Sequence, residues 1–421
     1  MGTLWTEVQL LKPDRSLAPN AHAARSVIAR MIADGPQVSR REIVKTTGLA
    51  RSTIDRHLNV LFEHGLILDG GLGGSHLRGR PAQVFEVNAT KGVILVADVS
   101  VGNIRLAITR LDKSVIERSE LDISVDLGPE TVLSEICASF KTMLQQHDLS
   151  RDDCLAVSVG LPGPVDSRMG YAVRPPLMPG WDGFGVCKYM AEQFVCDVIV
   201  DNNVNLMALA EARSYGESYL PLLLIHIGKG VGAGFVSEDG LLLHGADGAA
   251  TDIGHMQARE LADVLCNCGN RGCLEAVASV DAMAARVAAV VDAPVDAEDL
   301  LARLIRGEAT TVNIVREIAG MLGRATADMV NFCNPARLVV SGEVTECTED
   351  MLAQIRSVVY QQAQPLATRN LSIVHGSLGA EAGLIGGMIS GIEQVLSPRG
   401  IQYLTRPADS TMQPLGMKPG T

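Results

Sequence analysis

The sequence predicts an α/β protein in which a small α+β head precedes a larger body made of two similar lobes. Three observations support this fold class. Up to about residue 88, apolar residues recur at helical spacing and then give way to two short strands. Beyond that point, apolar strands alternate with long helices, and one strand–loop–strand pattern occurs twice, about 130 residues apart. A chain of 421 residues is long enough for roughly two to four domains.

The composition excludes disordered, coiled-coil and membrane-spanning chains. Hydrophobic residues make up 47% of the sequence, and 42 glycines are spread among mixed elements, a combination that neither disorder nor a coiled coil shows. No apolar run approaches the ~18 residues that a membrane-spanning helix requires. Residues 1–20 lack a basic start followed by an apolar run, so no secretion signal is predicted. We therefore expect a soluble protein of the cytoplasm.

Charge is distributed unevenly along the chain. Residues 1–87 contain 11 Lys and Arg against 8 Asp and Glu, a net charge of +3, whereas the whole chain carries −12. The remainder therefore carries −15. A basic head on an acidic body indicates that only the head meets an anionic partner such as nucleic acid.

Three helices and a two-stranded wing are predicted in the head. The apolar face of the first helix consists of Ala24, Val27, Ile28 and Met31. Ser39 and Glu42 have the spacing of a capping box, which starts a short second helix through Thr46. The apolar face of the third helix consists of Ile54, Leu58, Leu61 and Phe62. Short strands follow at 66–68 and 84–87, which completes the plan of a winged helix-turn-helix domain.

The third helix is the predicted DNA-reading element, because in this geometry it enters the major groove and its first residues reach the base edges. The candidate readers, which lie off the apolar face of this helix, are Arg51, Ser52, Thr53 and Arg56. In the wing, Arg78 and Arg80 are placed to grip phosphate or to enter the minor groove. The alternative is a winged domain used for protein contacts, with ordinary solvated arginines.

The body repeats one strand–loop–strand unit. A near-continuous apolar run at Val93–Val99 is followed by a loop and a second strand at 104–109. The same theme returns at Leu222–Ile227, which is followed by the glycine-rich loop 228–234. Two such units indicate two similar lobes around a cleft. Long helices are predicted at 131–146, 206–215 and 314–332.

Five motifs follow one another in the body. They are GLPGPVD at 160–166, PGW at 179–181, NNVN at 202–205 followed by Glu211, DIGH at 252–255 and CNCGNRGCLE at 266–275. In this order they resemble the ROK family of repressors, uncharacterised reading frames and sugar kinases, over roughly residues 92–395. The resemblance implies an actin-like (ribonuclease H-like) two-lobed ATPase fold for the body. With the winged head, nearly the whole chain resembles ROK-type transcriptional regulators.

The chain is accordingly divided into a head, two lobes and two ends. The segments are a flexible leader at 1–20, a winged helix-turn-helix domain at 21–88, a first lobe at 89–200 together with 377–396, a second lobe at 201–376 and a flexible tail at 397–421. The segment 377–395, rich in Gly, Ala and Ile, is predicted to be a final helix that returns to pack on the first lobe. Four prolines after Val395 favour a loosely ordered tail.

Cys266, Cys268 and Cys273 have the spacing of a zinc knuckle, and the glycines between them permit tight turns. In a cytosolic chain this spacing favours a metal over a disulfide. His255 completes a closed Cys3His tetrahedral site, in which zinc is structural, and the resemblance implies the same four ligands. The alternative is a cluster of inert buried cysteines. The remaining cysteines are predicted to be small core residues: Cys137, Cys154, Cys187, Cys196, Cys333 and Cys347.

The resemblance also implies a sugar site. In the family's kinases, sugar hydroxyls are bound by an Asn-Asp pair, by the Glu and His of a Glu-x-Gly-His motif, and by the Glu after the knuckle. In this sequence those positions hold Asn202, Asn203, Asp252, His255 and Glu275. His255 would then serve the metal and also lie beside the sugar, and we rank its metal role first.

Departures from the kinase pattern predict that the body does not transfer phosphate. The Asp of the kinase pair is the general base, but Asn203 is a carboxamide and cannot accept a proton near neutral pH. The first phosphate loop of the kinases reads Asp-x-Gly-Gly-Thr. Here Asp98 is followed by Ser100 and Val101, whose β-carbons obstruct the approach of the backbone to phosphate. Asp252 is one methylene shorter than the family's Glu, which alters its reach to the sugar.

The sequence therefore predicts a sugar-responsive transcriptional regulator of carbohydrate metabolism, most simply a repressor, whose kinase-derived body is catalytically inactive. Its partners would be double-stranded operator DNA and a sugar or sugar derivative. It would form a homodimer or homotetramer, because two DNA half-sites need two heads. Two alternatives stay open: a ROK-type sugar kinase with a DNA-binding head, and a ligand-independent regulator whose cleft is a vestige.

Overall fold

The structure is a computed structural model that describes residues 3–11, 20–35, 37–73, 82–258 and 263–406. Within these ranges, none of the helices combines the length and the apolar composition that a membrane-spanning segment requires. The helices are α1 (Thr3–Glu7), α2 (Ala21–Asp34), α3 (Arg40–Thr47), α4 (Arg51–Glu63), α5 (Pro129–Gln146), α6 (Val186–Gln193), α7 (Asn203–Tyr215), α8 (Glu275–Ala278), α9 (Val280–Val291), α10 (Ala297–Ile305), α11 (Ala309–Cys333), α12 (Glu343–Cys347), α13 (Glu349–Gln362), α14 (Pro365–Thr368), α15 (Ala382–Val395) and α16 (Pro398–Leu404). The strands are β1 (Val38–Ser39), β2 (Ile67–Gly73), β3 (Ala82–Val87), β4 (Val93–Val99), β5 (Ile104–Arg110), β6 (Val115–Leu121), β7 (Cys154–Leu161), β8 (Val165–Asp166), β9 (Tyr171–Ala172), β10 (Asp197–Asn202), β11 (Leu222–Ile227), β12 (Val231–Val236), β13 (Arg337–Ser341) and β14 (Ser372–His375).

The head is a winged helix-turn-helix domain. Helices α2, α3 and α4 pack around a core in which Ile28, Ile43 and Ile54 are fully buried. The predicted capping box is confirmed at the start of α3, where the Glu42 N–H donates to Ser39 Oγ and the Ser39 N–H donates to Glu42 Oε2. Strands β2 and β3 form the antiparallel wing, and the two-residue strand β1 joins the other edge of β3. A strand as short as β1 has no hydrophobic pattern from which it could be predicted.

The first lobe is built on a five-stranded sheet in the order β10-β7-β4-β5-β6. Strands β4, β7 and β10 are parallel, whereas β5 and β6 are antiparallel to their neighbours. Helix α15 packs on one face of this sheet, against β4 and β7. Helices α5 and α6 contact each other on the opposite face, where α5 also contacts β5. All seven residues of β4 are buried, which explains its continuous apolar run.

The second lobe repeats this connectivity in a four-stranded sheet with the order β12-β11-β13-β14. Strand β11 is antiparallel to β12 and parallel to β13, and β13 is parallel to β14. In this arrangement β11, β12, β13 and β14 occupy the places of β4, β5, β7 and β10. The two-lobed, actin-like architecture is therefore confirmed.

Two helices cross between the lobes. Helix α7 follows β10 of the first sheet but packs against β11 and β12 of the second, whereas α15 follows β14 but packs on the first sheet. Gly387 and Gly391 face the side chains of Val96 and Ile94 so closely that a β-carbon at either glycine would clash. The absence of side chains at these two positions lets α15 lie directly on β4. The predicted final helix is present, but it begins at Ala382.

The N-terminal residues 3–11 are tied down between head and body. Trp5 is 1% exposed, and its Nε1–H donates to Glu381 Oε2 at 3.0 Å. The Leu10 N–H donates to Asp34 Oδ1 at 2.7 Å. The prediction of a flexible leader is therefore wrong for these residues, because their apolar side chains are buried against parts of the chain that are remote in sequence.

The segment after α15 is also ordered. Helix α16 packs on α2 of the head, and Ile401 is fully buried. Just before it, the Leu396 carbonyl accepts a hydrogen bond from Ser26 Oγ at 2.5 Å. The predicted flexible tail is therefore wrong for Pro398–Leu404, which close the core of the head. Of the predicted leader and tail, residues 1–2, 12–19 and 407–421 lie outside the described residues.

Candidate functional site

A cleft of about 690 Å³ lies between the two lobes. The five residues of the expected sugar site all line it: Asn202, Asn203, Asp252, His255 and Glu275. The first two come from the junction of β10 and α7. The next two lie on the segment after β12, and the last begins α8. The fold thus brings together residues that the sequence keeps in three separate motifs.

The two asparagines hold the junction of β10 and α7 in place. Asn202 Oδ1 caps α7 by accepting from the Val204 N–H at 2.7 Å, and Asn202 Nδ2 donates to the Gly163 carbonyl at 2.6 Å. Asn203 is buried, and its Nδ2 donates to the Val99 carbonyl at 3.3 Å. A carboxylate at position 203 would place an acceptor oxygen opposite the Val99 carbonyl, which is also an acceptor. The local structure therefore suits a carboxamide.

Glu275 lines the cleft from the start of α8. Its Oε2 accepts from the Val231 N–H at 3.1 Å. Burial raises the pKa of Glu275, the nearby charge of Asp252 adds to the rise, and the bond from Val231 and the charge of His255 oppose it. Partly buried polar groups that converge from both lobes suit a ligand with many hydroxyl groups.

The four expected metal ligands form one cluster. Their donor atoms, from His255, Cys266, Cys268 and Cys273, all lie within 4.8 Å of one another. His255 Nδ1 is 3.9 Å from Cys266 Sγ, and Cys268 Sγ is 3.7 Å from Cys273 Sγ. A tetrahedral zinc ion bound at about 2.3 Å holds two sulfurs about 3.8 Å apart. Three thiols and an imidazole at these distances fit zinc.

The knuckle owes its shape to its glycines. Gly269 and Gly272 have φ values of 90° and 77°, a region that favours glycine. The Cys266 N–H donates to the Asn270 carbonyl at 2.8 Å and closes the turn. The Leu274 N–H donates to the Met256 carbonyl at 3.0 Å, which joins the knuckle to the segment that carries His255. The metal cluster and the cleft therefore share one local structure.

His255 belongs to both the cluster and the cleft. It lies in the short 3-10 helix Ile253–His255 and lines the cleft. Its Nδ1 faces Cys266, so Nε2 lies on the opposite edge of the ring. One imidazole is therefore able to bind a metal and to remain beside a ligand in the cleft.

The end of the cleft that corresponds to the kinase phosphate loops carries an internal ion pair. Arg105 Nη2 lies 3.0 Å from Asp98 Oδ2, and Arg105 Nη1 donates to the Ala380 carbonyl. Burial raises the pKa of Asp98, and Arg105 opposes the rise. The sequence analysis missed Arg105, since only the sheet brings it to Asp98.

The same end of the cleft is rich in carboxylates. Glu120, Glu343 and Glu346 line the cleft together with Lys229. Glu381 and Arg105 also line it, but each has a partner of opposite charge, Arg118 and Asp98. An excess of negative charge repels a polyanion such as a nucleoside triphosphate.

Helix α4 presents a polar face at its first turns. Arg51, Ser52 and Arg56 are exposed and Thr53 is half-buried. Asn59, one turn beyond Arg56, is also exposed, and sequence analysis missed it although its spacing signals the same face. Arg78 and Arg80 lie outside the described residues.

Comparisons with known proteins cover both the body and the head. The ROK family matches residues 95–391. The putative xylose repressor of Caldicellulosiruptor sp. (strain Rt8B.4) is 27% identical over 351 residues, which are 80% of this chain and 87% of the relative. The glucokinase of Halalkalibacterium halodurans is 29% identical over 305 residues, which are 69% of this chain and 92% of the relative. A solved ROK family transcriptional regulator, homologous to the Escherichia coli Mlc protein, has a TM-score of 0.78 at 24% identity and covers 93% of this chain and 99% of its own.

Proposed function

Because this chain belongs to the ROK family, we propose that it is a DNA-binding transcriptional repressor whose body binds a sugar or sugar derivative as effector. The observation that carries the proposal is a single cleft that gathers five polar side chains in a chain that also has a winged head. Those side chains are Asn202, Asn203, Asp252, His255 and Glu275. The repressor named among the relatives supports the same function.

In this proposal α4 lies in the major groove of operator DNA. The base-reading residues are Arg51, Ser52, Thr53 and Arg56, and the wing arginines Arg78 and Arg80 grip phosphate or the minor groove. Two half-sites need two heads, so the working form is a homodimer or a homotetramer. Such a regulator acts in the cytoplasm, where its thiols stay reduced.

We assign a structural zinc ion to the cluster of His255, Cys266, Cys268 and Cys273. Zinc in a closed Cys3His site supplies a cross-link and no open position for catalysis. The cross-link joins the segment of Asp252 to the start of α8, which carries Glu275. The metal therefore shapes one wall of the effector pocket.

The glucokinase relative favours a second candidate, a sugar kinase with a DNA-binding head. Three features of the cleft oppose it. Asn203 cannot act as general base, Asp98 is already paired with Arg105, and carboxylates crowd the nucleotide end. The body is therefore proposed to bind a sugar without phosphorylating it.

The experiment that tests DNA binding is fluorescence anisotropy on DNA from the region upstream of the protein's own gene, at fixed salt. Arg56→Ala should weaken binding by about 1–3 kcal/mol if Arg56 makes a bidentate base contact. Arg151→Ala, an exposed arginine of the body, is the control and should leave the affinity unchanged. An unchanged affinity for Arg56→Ala would remove Arg56 from the reading face. Sugar-dependent release of ADP from ATP would favour the kinase instead.

A further inference from the structure

Asp201, the residue before the asparagine pair, is a buried centre of hydrogen bonds. Asp201 is the residue before the last of β10, and 5% of its surface is exposed. Oδ1 accepts from the Asn202 N–H at 2.7 Å and from Asn205 Nδ2 at 2.9 Å. Oδ2 lies 2.7 Å from His244 Nε2. Both carboxylate oxygens are therefore engaged, and one of them joins the first lobe to a residue of the second.

His244 is the second residue of the loop 243–251, which leads directly into Asp252. This loop is fixed to β12 at both ends, because the Leu243 N–H donates to the Phe235 carbonyl at 2.9 Å and Thr251 Oγ1 donates to the Ala233 carbonyl at 2.9 Å. The Ala250 N–H donates to the His244 carbonyl at 3.2 Å, so the loop is closed on itself. The loop is thus a compact part of the second lobe.

The same loop contacts the first lobe at a second point. Gly248 approaches the Val165 carbonyl so closely that a β-carbon there would clash with it. Gly248 has a φ of 86°, which also favours glycine at this position. The loop therefore meets the first lobe through one close backbone approach and one polar contact, His244 to Asp201.

The polar contact is a charge-assisted hydrogen bond when His244 is protonated. The bond to Asp201 raises the pKa of His244, while burial and the charge of Arg168 oppose the rise. Such bonds are shorter and stronger than neutral ones, and 2.7 Å is a short distance for nitrogen and oxygen. Of the described contacts between loop and first lobe, this is the strongest candidate for holding the loop.

We propose that His244 is a positioning residue of the effector pocket, which, through Asp201, clasps the loop 243–251 to the first lobe. This proposal rests on the proposed function. The clasp holds Asp252 and His255, which follow the loop, opposite Asn202, which follows Asp201. Without the hydrogen bond between His244 and Asp201, these side chains remain in place within each lobe, but the distance between the two lobes' groups is no longer fixed. A ligand that must contact both sides of the pocket then binds less tightly.

The test compares His244→Ala with His244→Gln, whose amide is able to donate to Asp201, in the full-length protein. Two quantities are measured: hydrogen exchange over residues 245–255, which needs no sugar, and calorimetric affinity for D-xylose, D-glucose and N-acetyl-D-glucosamine. We expect the alanine variant to exchange faster in this loop and to bind the sugar that the wild type binds about tenfold less tightly. The glutamine variant should restore slow exchange and bind within about threefold of the wild type.

His147→Ala is the matched control, because His147 also pairs with a carboxylate, Glu117 at 3.0 Å, but lies outside the cleft. It should change neither quantity. If the alanine variant does not fold, His244→Asn, which keeps an amide but shortens its reach, takes its place with the same expected losses.

The outcomes separate the clasp from the proposed function. Wild-type exchange in the alanine variant, or fast exchange that glutamine does not restore, would overturn the clasp. If the wild type binds none of the three sugars while exchange behaves as expected, the clasp stands and the effector assignment fails.

Discussion

At the scale of single residues, the proposal that the body does not transfer phosphate depends most on Asn203. Its amide donates to the Val99 carbonyl at the end of β4, in a place where a carboxylate would meet an acceptor. The amide that stands where a general base is expected in the kinases thus has a structural role of its own. An acid at this position should therefore destabilise the fold without restoring sugar phosphorylation.

Asn203→Asp should lower the free energy of unfolding by about 1–3 kcal/mol, because it buries an acceptor opposite another acceptor. It should also leave the protein without sugar phosphorylation. Urea denaturation and an assay of ADP release measure the two effects. Asn313→Asp, at an exposed position of α11, is the control and should be nearly neutral. Phosphorylation by the Asn203→Asp variant at a kinase-like rate would contradict the account of an inactive body.

His226, at the end of β11, makes the stability of the body depend on pH. Burial lowers the pKa of this imidazole to about 4, with Arg105 adding to the effect, and Nδ1 lies 3.1 Å from Ser341 Oγ. An unfolded imidazole titrates at about 6.5, so between these values the unfolded chain takes up a proton that the folded chain does not. The contribution of His226 to stability is therefore lost as pH falls from about 6.5 toward 4.

His226→Gln should flatten this part of the curve of unfolding free energy against pH. Denaturation at a series of pH values measures it, with His64→Gln in the head as the control. If the free energy of unfolding of the His226→Gln variant still falls below about pH 6.5 as it does in the wild type, other groups cause the loss of stability.

The residues that sequence analysis found differ in kind from those it missed. The three cysteines of the proposed metal site are closely spaced, and the five cleft residues belong to recognisable motifs, so each was visible in the chain. Arg105 and His244 belong to no motif, and their partners Asp98 and Asp201 are identified only when strands and loops pack. Tertiary contacts of this kind leave no periodic signal.

At the scale of elements, prediction succeeded where a segment carries its own signal. The head helices have regular apolar faces, and α3 has a capping box. The segment 3–11 is too short for a periodic pattern, and the partner of Trp5 is 376 residues away in sequence. The ordered α16 was missed because the four prolines after Val395 indicated a tail, although Pro398 occupies the first position of a helix, where proline is favoured.

Loss of the proposed zinc ion from the knuckle should weaken sugar binding and leave DNA binding unchanged. Elemental analysis of the purified protein should find about one zinc per chain, and Cys268→Ser should lose it. The variant should exchange faster over residues 263–278 and bind sugar more weakly, because zinc joins the segment of Asp252 to α8. Its affinity for DNA without sugar should stay unchanged.

Cys333→Ser, remote from the cluster, should keep both the zinc and the wild-type exchange. A wild-type protein without zinc, together with unchanged exchange in Cys268→Ser, would contradict the assignment of the cluster as a metal site.

At the scale of the whole molecule, α7 and α15 connect the cleft to the head. Helix α7 begins at Asn203 in the cleft, and near its other end Arg213 Nε donates to Glu393 Oε1 of α15 at 2.9 Å. The Glu393 carbonyl accepts from Arg30 Nη2 of the head at 2.7 Å. The head thus rests on the far ends of the two helices that cross between the lobes. A change in the angle between the lobes would reach the head through these contacts, provided that the ligand has different affinities for the two states.

The most direct test of this account is the anisotropy of a labelled operator bound to the full-length protein, titrated with D-xylose, D-glucose and N-acetyl-D-glucosamine at fixed salt. We expect one sugar to shift the DNA affinity about tenfold, a coupling of ~1.4 kcal/mol, and Glu275→Gln to reduce the shift without changing DNA binding in the absence of sugar. Tight DNA binding that none of these sugars alters, in a protein that calorimetry shows to bind one of them, would contradict the coupling of cleft to head.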